Sequence, residues 1–66
     1  MVISDFTKDE IEYLLDKCNF VNHEKVTFIE RAKGRQLDEI AEELNLSYDH
    51  ARAISRKVNR KILKVL

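Results

Sequence analysis

The fold this sequence predicts is all-α: a small four-helix domain whose last two helices form a C-terminal helix-turn-helix. Three observations predict it. The 66 residues contain no Pro and one Gly, Gly34, which is too few breakers for a loop-rich or multi-stranded chain. Apolar residues recur at helical spacing, and nowhere does a strand-period alternation appear. Cap and turn residues fall between these periodic stretches, where helices must start and stop. The length allows one domain, residues 1–66, only just able to bury an adequate core, so its helices must pack well or lean on a partner.

The first helix is expected over about 8–18. Thr7 is a good N-cap and Glu10, three residues on, completes a capping box. Ile11, Leu14, Leu15 and Cys18 then form a narrow apolar stripe, and Phe6 can fold back on Ile11 as a hydrophobic staple. A connection over Asn19–Asn22 leads to a second helix, about 22–33. There Val26, Phe28, Ile29 and Ala32 cover a wide arc, so this helix is expected to be the most enclosed. Gly34 stands where a left-handed C-terminal residue is wanted, and Arg31, Lys33 and Arg35 suit the negative helix end.

The third helix, about 37–44, presents Leu37, Ile40, Ala41 and Leu44 on one face, with Asp38 and Glu39 in its first turn. Asn45 is the best non-Gly residue for a left-handed turn, Leu46 plugs the turn, and Ser47 can cap the next helix. That fourth helix, about 48–64, aligns Ala51, Ile54, Val58, Ile62 and Val65 along one side. Asp49, Arg52, Ala53, Arg56, Lys57, Arg60 and Lys64 lie opposite. One side is core and the other is cationic.

Composition narrows the function. No stretch approaches the roughly 20 apolar residues of a membrane span, and Met1-Val2-Ile3-Ser4 is too short to open a signal peptide. Cys18 is alone, so a reduced cytoplasmic setting is expected and no internal disulfide can form. Asn45-Leu46-Ser47 matches a glycosylation sequon by chance. Net charge is zero, but it is segregated: residues 1–30 carry seven acids against three bases, and residues 31–66 carry nine bases against five acids. From His50 onward there are six bases (Arg52, Arg56, Lys57, Arg60, Lys61, Lys64) and no acid. A cationic helix end can serve the dipole alone, but that effect is confined to the last turn and this run spans more than four. Such segregation is expected where one face meets a polyanion.

The layout carries a mechanism. A short helix, a three-residue turn and a longer helix with a basic outer face suit docking to double-stranded DNA. The close crossing needs a small residue, supplied by Ala41. Ile40, Leu44, Leu46, Ala51 and Ile54 would lock the crossing. The early exposed positions of the last helix, Tyr48, Asp49, His50, Arg52 and Ala53, would enter the major groove. There an Arg suits guanine O6/N7, and an Asp can accept from cytosine N4.

The run Gly34-Arg35-Gln36-Leu37-Asp38-Glu39-Ile40-Ala41-Glu42-Glu43-Leu44-Asn45-Leu46-Ser47 resembles the helix-turn-helix of sigma factor region four and its LuxR-type relatives, which show "G-x-S/T-x-x-E-I-A-x-x-L-G-I-S". Ala51-Arg52-Ala53-Ile54-Ser55-Arg56 is similar to the family's "V-R-x-I-x-R", and Glu24–Arg31 resembles its preceding "E-R-x-V-x-x-L-R" helix. The resemblance spans about Asn22 to Ile62; Asn45 stands for the turn Gly and Gln36 for the Ser/Thr cap. No minus-ten-binding domain precedes it, so a complete sigma factor is not expected. The resemblance implies base contacts at Tyr48, Asp49, His50, Arg52 and Ala53. Arg35, Gln36, Ser47, Arg56 and Lys57 are expected to hold phosphates, which sets register without reading sequence.

Other chemistry finds little support. His23, His50 and Cys18 lack zinc-type spacing, so no metal or other cofactor is expected, and Cys18 reads as core packing. Ser4, Ser47 and Ser55 have no His-Asp arrangement, no glycine-rich phosphate loop exists, and neither an enzyme nor a small-molecule substrate is expected. Leu63 and Leu66 fall off the apolar strip, so they either cover Val2, Ile3 and Phe6 or meet a second chain, as in a homodimer. The function expected is a DNA-binding regulator or accessory factor, sigma-like or phage-borne. The alternative is a protein-interaction module for an RNA polymerase subunit or another partner, or a phage DNA-packaging or replication adaptor.

Overall fold

The computed structural model describes Val2–Leu66; Met1, counted in the single domain expected from the sequence, lies outside the described residues. A 3-10 turn, Ile3–Asp5, leads into four helices: α1 (Lys8–Lys17), α2 (His23–Ala32), α3 (Leu37–Glu43) and α4 (Tyr48–Val65). Among the described residues there is no strand. None of the helices is long and apolar enough to cross a membrane.

Each helix end has a local cause. The Glu10 N–H donates to Thr7 Oγ1 at 3.2 Å and the Thr7 N–H to Glu10 Oε1 at 2.8 Å, a reciprocal capping box that starts α1. The helix stops at Lys17, one residue before the sequence expectation, because Cys18 is extended (φ −85°, ψ 136°) and turns the chain toward Asn19. Helix α2 begins at His23, because Asn22 has φ 52° and ψ −126° and is not helical. With the Glu24 N–H donating to the Val21 carbonyl at 3.0 Å, Val21–Glu24 forms a turn of type II′ geometry.

Helices α2 and α3 end alike. After α2, Gly34 (φ 89°) donates to the Arg31 carbonyl at 2.9 Å and Arg35 to that of Glu30 at 3.2 Å. After α3, Asn45 (φ 60°) donates to Glu42 at 3.1 Å and Leu46 to Ala41 at 2.8 Å. Both are Schellman closures, in which a left-handed residue lets two amides satisfy the last free carbonyls. Ser47 then caps α4, accepting from the His50 N–H at 3.2 Å.

The core gathers Ile3, Leu14, Cys18, Phe28, Ile54, Val58 and Ile62. Helix α4 supplies three of these, and α2 and α3 pack most heavily against it. Full burial of Val58 and Ile62 contributes roughly 1.5–3 kcal/mol each. The rings of Phe20 and Phe28 meet at 5.0 Å between centroids, tilted by 34°.

The inner face of α2 departs from the expected arc. Glu24, Thr27 and Phe28 are buried, while Val26 is exposed to 40 %. Spacing i, i+3, i+4 runs through 24, 27 and 28, so Val26 necessarily points away. Glu24 is tolerated inside because Lys61 of α4 reaches it: Lys61 Nζ lies 2.5 Å from Glu24 Oε1 and also donates to the Asn19 carbonyl. The same carboxylate oxygen accepts from the Val21 N–H at 3.2 Å. Burial pushes the Glu24 carboxyl up. The Lys61 and Val21 hydrogen bonds, with the charges of Lys61 and Lys57, outweigh that and hold it below its ordinary value.

Candidate nucleic-acid interface

Helix α4 divides lengthwise. Ala51, Ile54, Ser55, Val58 and Ile62 are buried, whereas Asp49, Arg52, Ala53, Arg56, Lys57, Arg60 and Lys64 are exposed. The cationic side is therefore not covered by the rest of the chain. The helix also extends one residue past the expected end, to Val65.

Two hydrogen bonds fix the rotation of α4. Arg31 of α2 donates to Ser55 Oγ at 3.3 Å on one edge, and Lys61 reaches Glu24 on the other. Both ties leave Arg52, Arg56 and Arg60 pointing out. Tyr48, Asp49 and His50 are exposed in the first turn, and the Arg52 guanidinium sits over the Tyr48 ring, 5.9 Å from its centroid. That contact lies along i, i+4 and aims the guanidinium along the outer face of the first turn. Ser47 is exposed; its oxygen accepts from the helix, and the hydroxyl hydrogen remains available to a phosphate.

At the start of α3, where Arg35 and Gln36 are expected to meet phosphates, Arg35 has carboxylate partners within the chain. The Arg35 guanidinium donates to Glu30 at 3.2 Å and to Glu43, so it bridges the end of α2 to the end of α3. These two carboxylates raise its pKa further, making it a fixed cation with acidic neighbours. A phosphate approaching Arg35 would also meet Glu30 and Glu43. Gln36 stays exposed, and its N–H donates to Glu39 Oε1 at 3.2 Å, which secures the first turn of α3.

Two residues that the sequence placed on the cationic side but not among the contacts belong to this surface. Lys57, Arg60, Lys61 and Lys64 surround one shallow hollow on the second half of α4. Lys61 is spoken for by Glu24, which leaves Lys57, Arg60 and Lys64 as outward charges. Their periodicity was visible in the sequence; the pairing of Lys61 was not, because its partner lies 37 residues away. A second cleft, between the start of α2 and α4, brings His23 and His50 to the same opening as Lys57. Among the described residues, no three His, Cys, Asp or Glu side chains gather as a metal site.

Comparison with protein-family models, with curated proteins and with solved structures finds no match. The arrangement of α3 and α4 therefore stands on its own geometry. Leu63 and Leu66 remain 63 % and 74 % exposed, and Val2 is exposed as well, so these leucines do not find cover within the chain.

Proposed function

We propose that this chain is a sequence-specific DNA-binding protein of the helix-turn-helix kind, a region-four-like transcriptional regulator or accessory factor that lays α4 in the major groove. One observation carries the reading: the cationic side of α4, free of acids from His50 onward, stays open to solvent while the opposite side is anchored on α2 and α3. A helix held rigidly by its back, with outward cations and a short polar first turn, suits groove entry.

In this reading Tyr48, Asp49, His50, Arg52 and Ala53 face base edges. Gln36, Ser47, Arg56 and Lys57 hold phosphates. Arg35 acts instead as a positioning residue, fixing α3 against α2 through Glu30 and Glu43. Roughly four to six phosphate contacts would give modest affinity with a steep salt dependence. Zero net charge adds little long-range steering.

Fluorescence anisotropy with duplex DNA at two salt concentrations tests this. Arg52→Ala with Arg56→Ala is expected to cost about 2–4 kcal/mol, and Lys57→Ala to lower the salt slope by about one. Unchanged affinity in the double variant would remove α4 as the DNA face. An alternative draws on the exposed apolar residues of the C-terminus: a module that binds an RNA polymerase subunit or another protein, or a phage DNA-packaging or replication adaptor. Selection from a random DNA library separates the two, since only the first reading yields an enriched site.

A further inference from the structure

Away from the cationic side, α1 and the end of α4 enclose a shallow, mainly apolar groove lined by Phe6, Tyr13, Leu14 and Leu66 and edged by Asp9 and Glu10. Tyr13 is 51 % exposed there. Helix α1 carries an excess of acid, with Asp9, Glu10, Glu12 and Asp16 against Lys8 and Lys17. One turn from Leu66, Leu63 projects into solvent, flanked by Arg60 one turn before it and by Lys64. The molecule thus carries both halves of a complementary pair: an apolar groove with acidic edges, and an apolar side chain with two cations beside it.

We propose that a second copy of this chain occupies the groove, Leu63 of each copy entering the other's groove while Arg60 and Lys64 meet the acids of the opposing α1. Complementarity of charge selects this occupant, because the groove edges are anionic and the tip that would fill it is cationic. Because Leu63 and Leu66 lie one turn apart on the same helix, knob and groove share one side of the molecule. A single two-fold axis then satisfies both contacts, and the assembly closes as a dimer without propagating into a filament.

Joining the two molecules at the ends of α4 leaves both Tyr48 turns far from the axis. The rise from Tyr48 to Leu63 is about 22 Å, so the two first turns lie up to about 45 Å apart, and inclined helices can match the roughly 34 Å between successive major grooves. This use of the dimer rests on the DNA-binding reading proposed for α4; the dimer itself does not.

Sedimentation equilibrium of the full chain without DNA separates the two. The weight-average mass is expected to rise with concentration from 7.8 kDa toward twice that value. Leu63→Glu, which sets an acid against the acidic groove, is expected to return the chain to monomer with an unchanged circular dichroism spectrum. Asp9→Lys and Lys64→Glu singly are expected to weaken association about ten-fold, and the double variant to recover it. A single monomeric species up to about 500 µM, or a dimer indifferent to Leu63→Glu, overturns the proposal. Either result leaves the Arg52 and Arg56 test unaffected.

Discussion

At Asn22 the chain accepts backbone strain. A φ of 52° with ψ −126° is a region that Gly enters freely and an L side chain does not. Asn tolerates it better than most, yet the turn still costs something relative to Gly. Asn22→Gly is therefore expected to raise stability by about 0.5–1.5 kcal/mol, less the added flexibility of the unfolded chain, as measured by urea unfolding. Asn45 also has positive φ, but its 60° belongs to the ordinary left-handed well, where Asn is at home. The two positions differ in how readable they were. Asn45, followed by an apolar plug and a Ser cap, marks its own turn. Asn22 carries no such context, and its conformation follows from Glu24 reaching back to Val21.

Helices were legible where a periodic stripe and a cap agreed. Thr7 with Glu10, Gly34 and Ser47 are local devices, working within three or four residues of themselves, so a linear reading finds them. The inward face of α2 escaped because burial there depends on a charge whose partner comes from another helix. A Glu at an inward position reads as surface until Lys61 arrives from α4. The candidate DNA face was legible as a charge pattern, but the division of its cations into outward and committed ones required three dimensions. Arg35 and Lys61 are both committed to carboxylates.

The Glu24 pair also sets how the packing of α2 on α4 responds to acid. Its carboxyl is held below the ordinary value, so the folded chain binds fewer protons than the unfolded one between the two values. The resulting stabilisation is complete above the unfolded value, near 4.3, and is lost as pH falls through the lowered folded value. Thermal melts from pH 7 to pH 3 are expected to show this loss. Glu24→Gln should flatten that part of the profile and cost about 1–3 kcal/mol at neutral pH. An unaltered acid limb in that variant would mean the pair contributes nothing.

Across the whole molecule, charge is sorted by element. The acids of α1 and α3 offset most of the bases of α4 in the sum yet stay on separate elements, so zero net charge coexists with an exposed cationic side on α4. Sorting of this kind makes the chain's behaviour dependent on ionic strength in two separate ways. In the proposed DNA complex salt would weaken contacts to phosphates by counterion competition, and in the proposed dimer it would screen attraction between opposite faces of the two copies.

The ammonium of Lys61 holds more than a carboxylate. It also grips the Asn19 carbonyl, while the thiol of Cys18 lies 3.6 Å from the Lys61 carbonyl, so the polar contacts from the Cys18–Glu24 stretch to α4 converge on one residue. Removing the ammonium with Lys61→Met, which leaves the Cys18 contact to the main-chain carbonyl in place, should open the α1–α2 link before any other part of the molecule loosens. Brief digestion would then nick the chain first between residues 19 and 25, yielding a fragment that keeps α3 and α4 together. Initial cleavage elsewhere would show that the link is secured by its own turn.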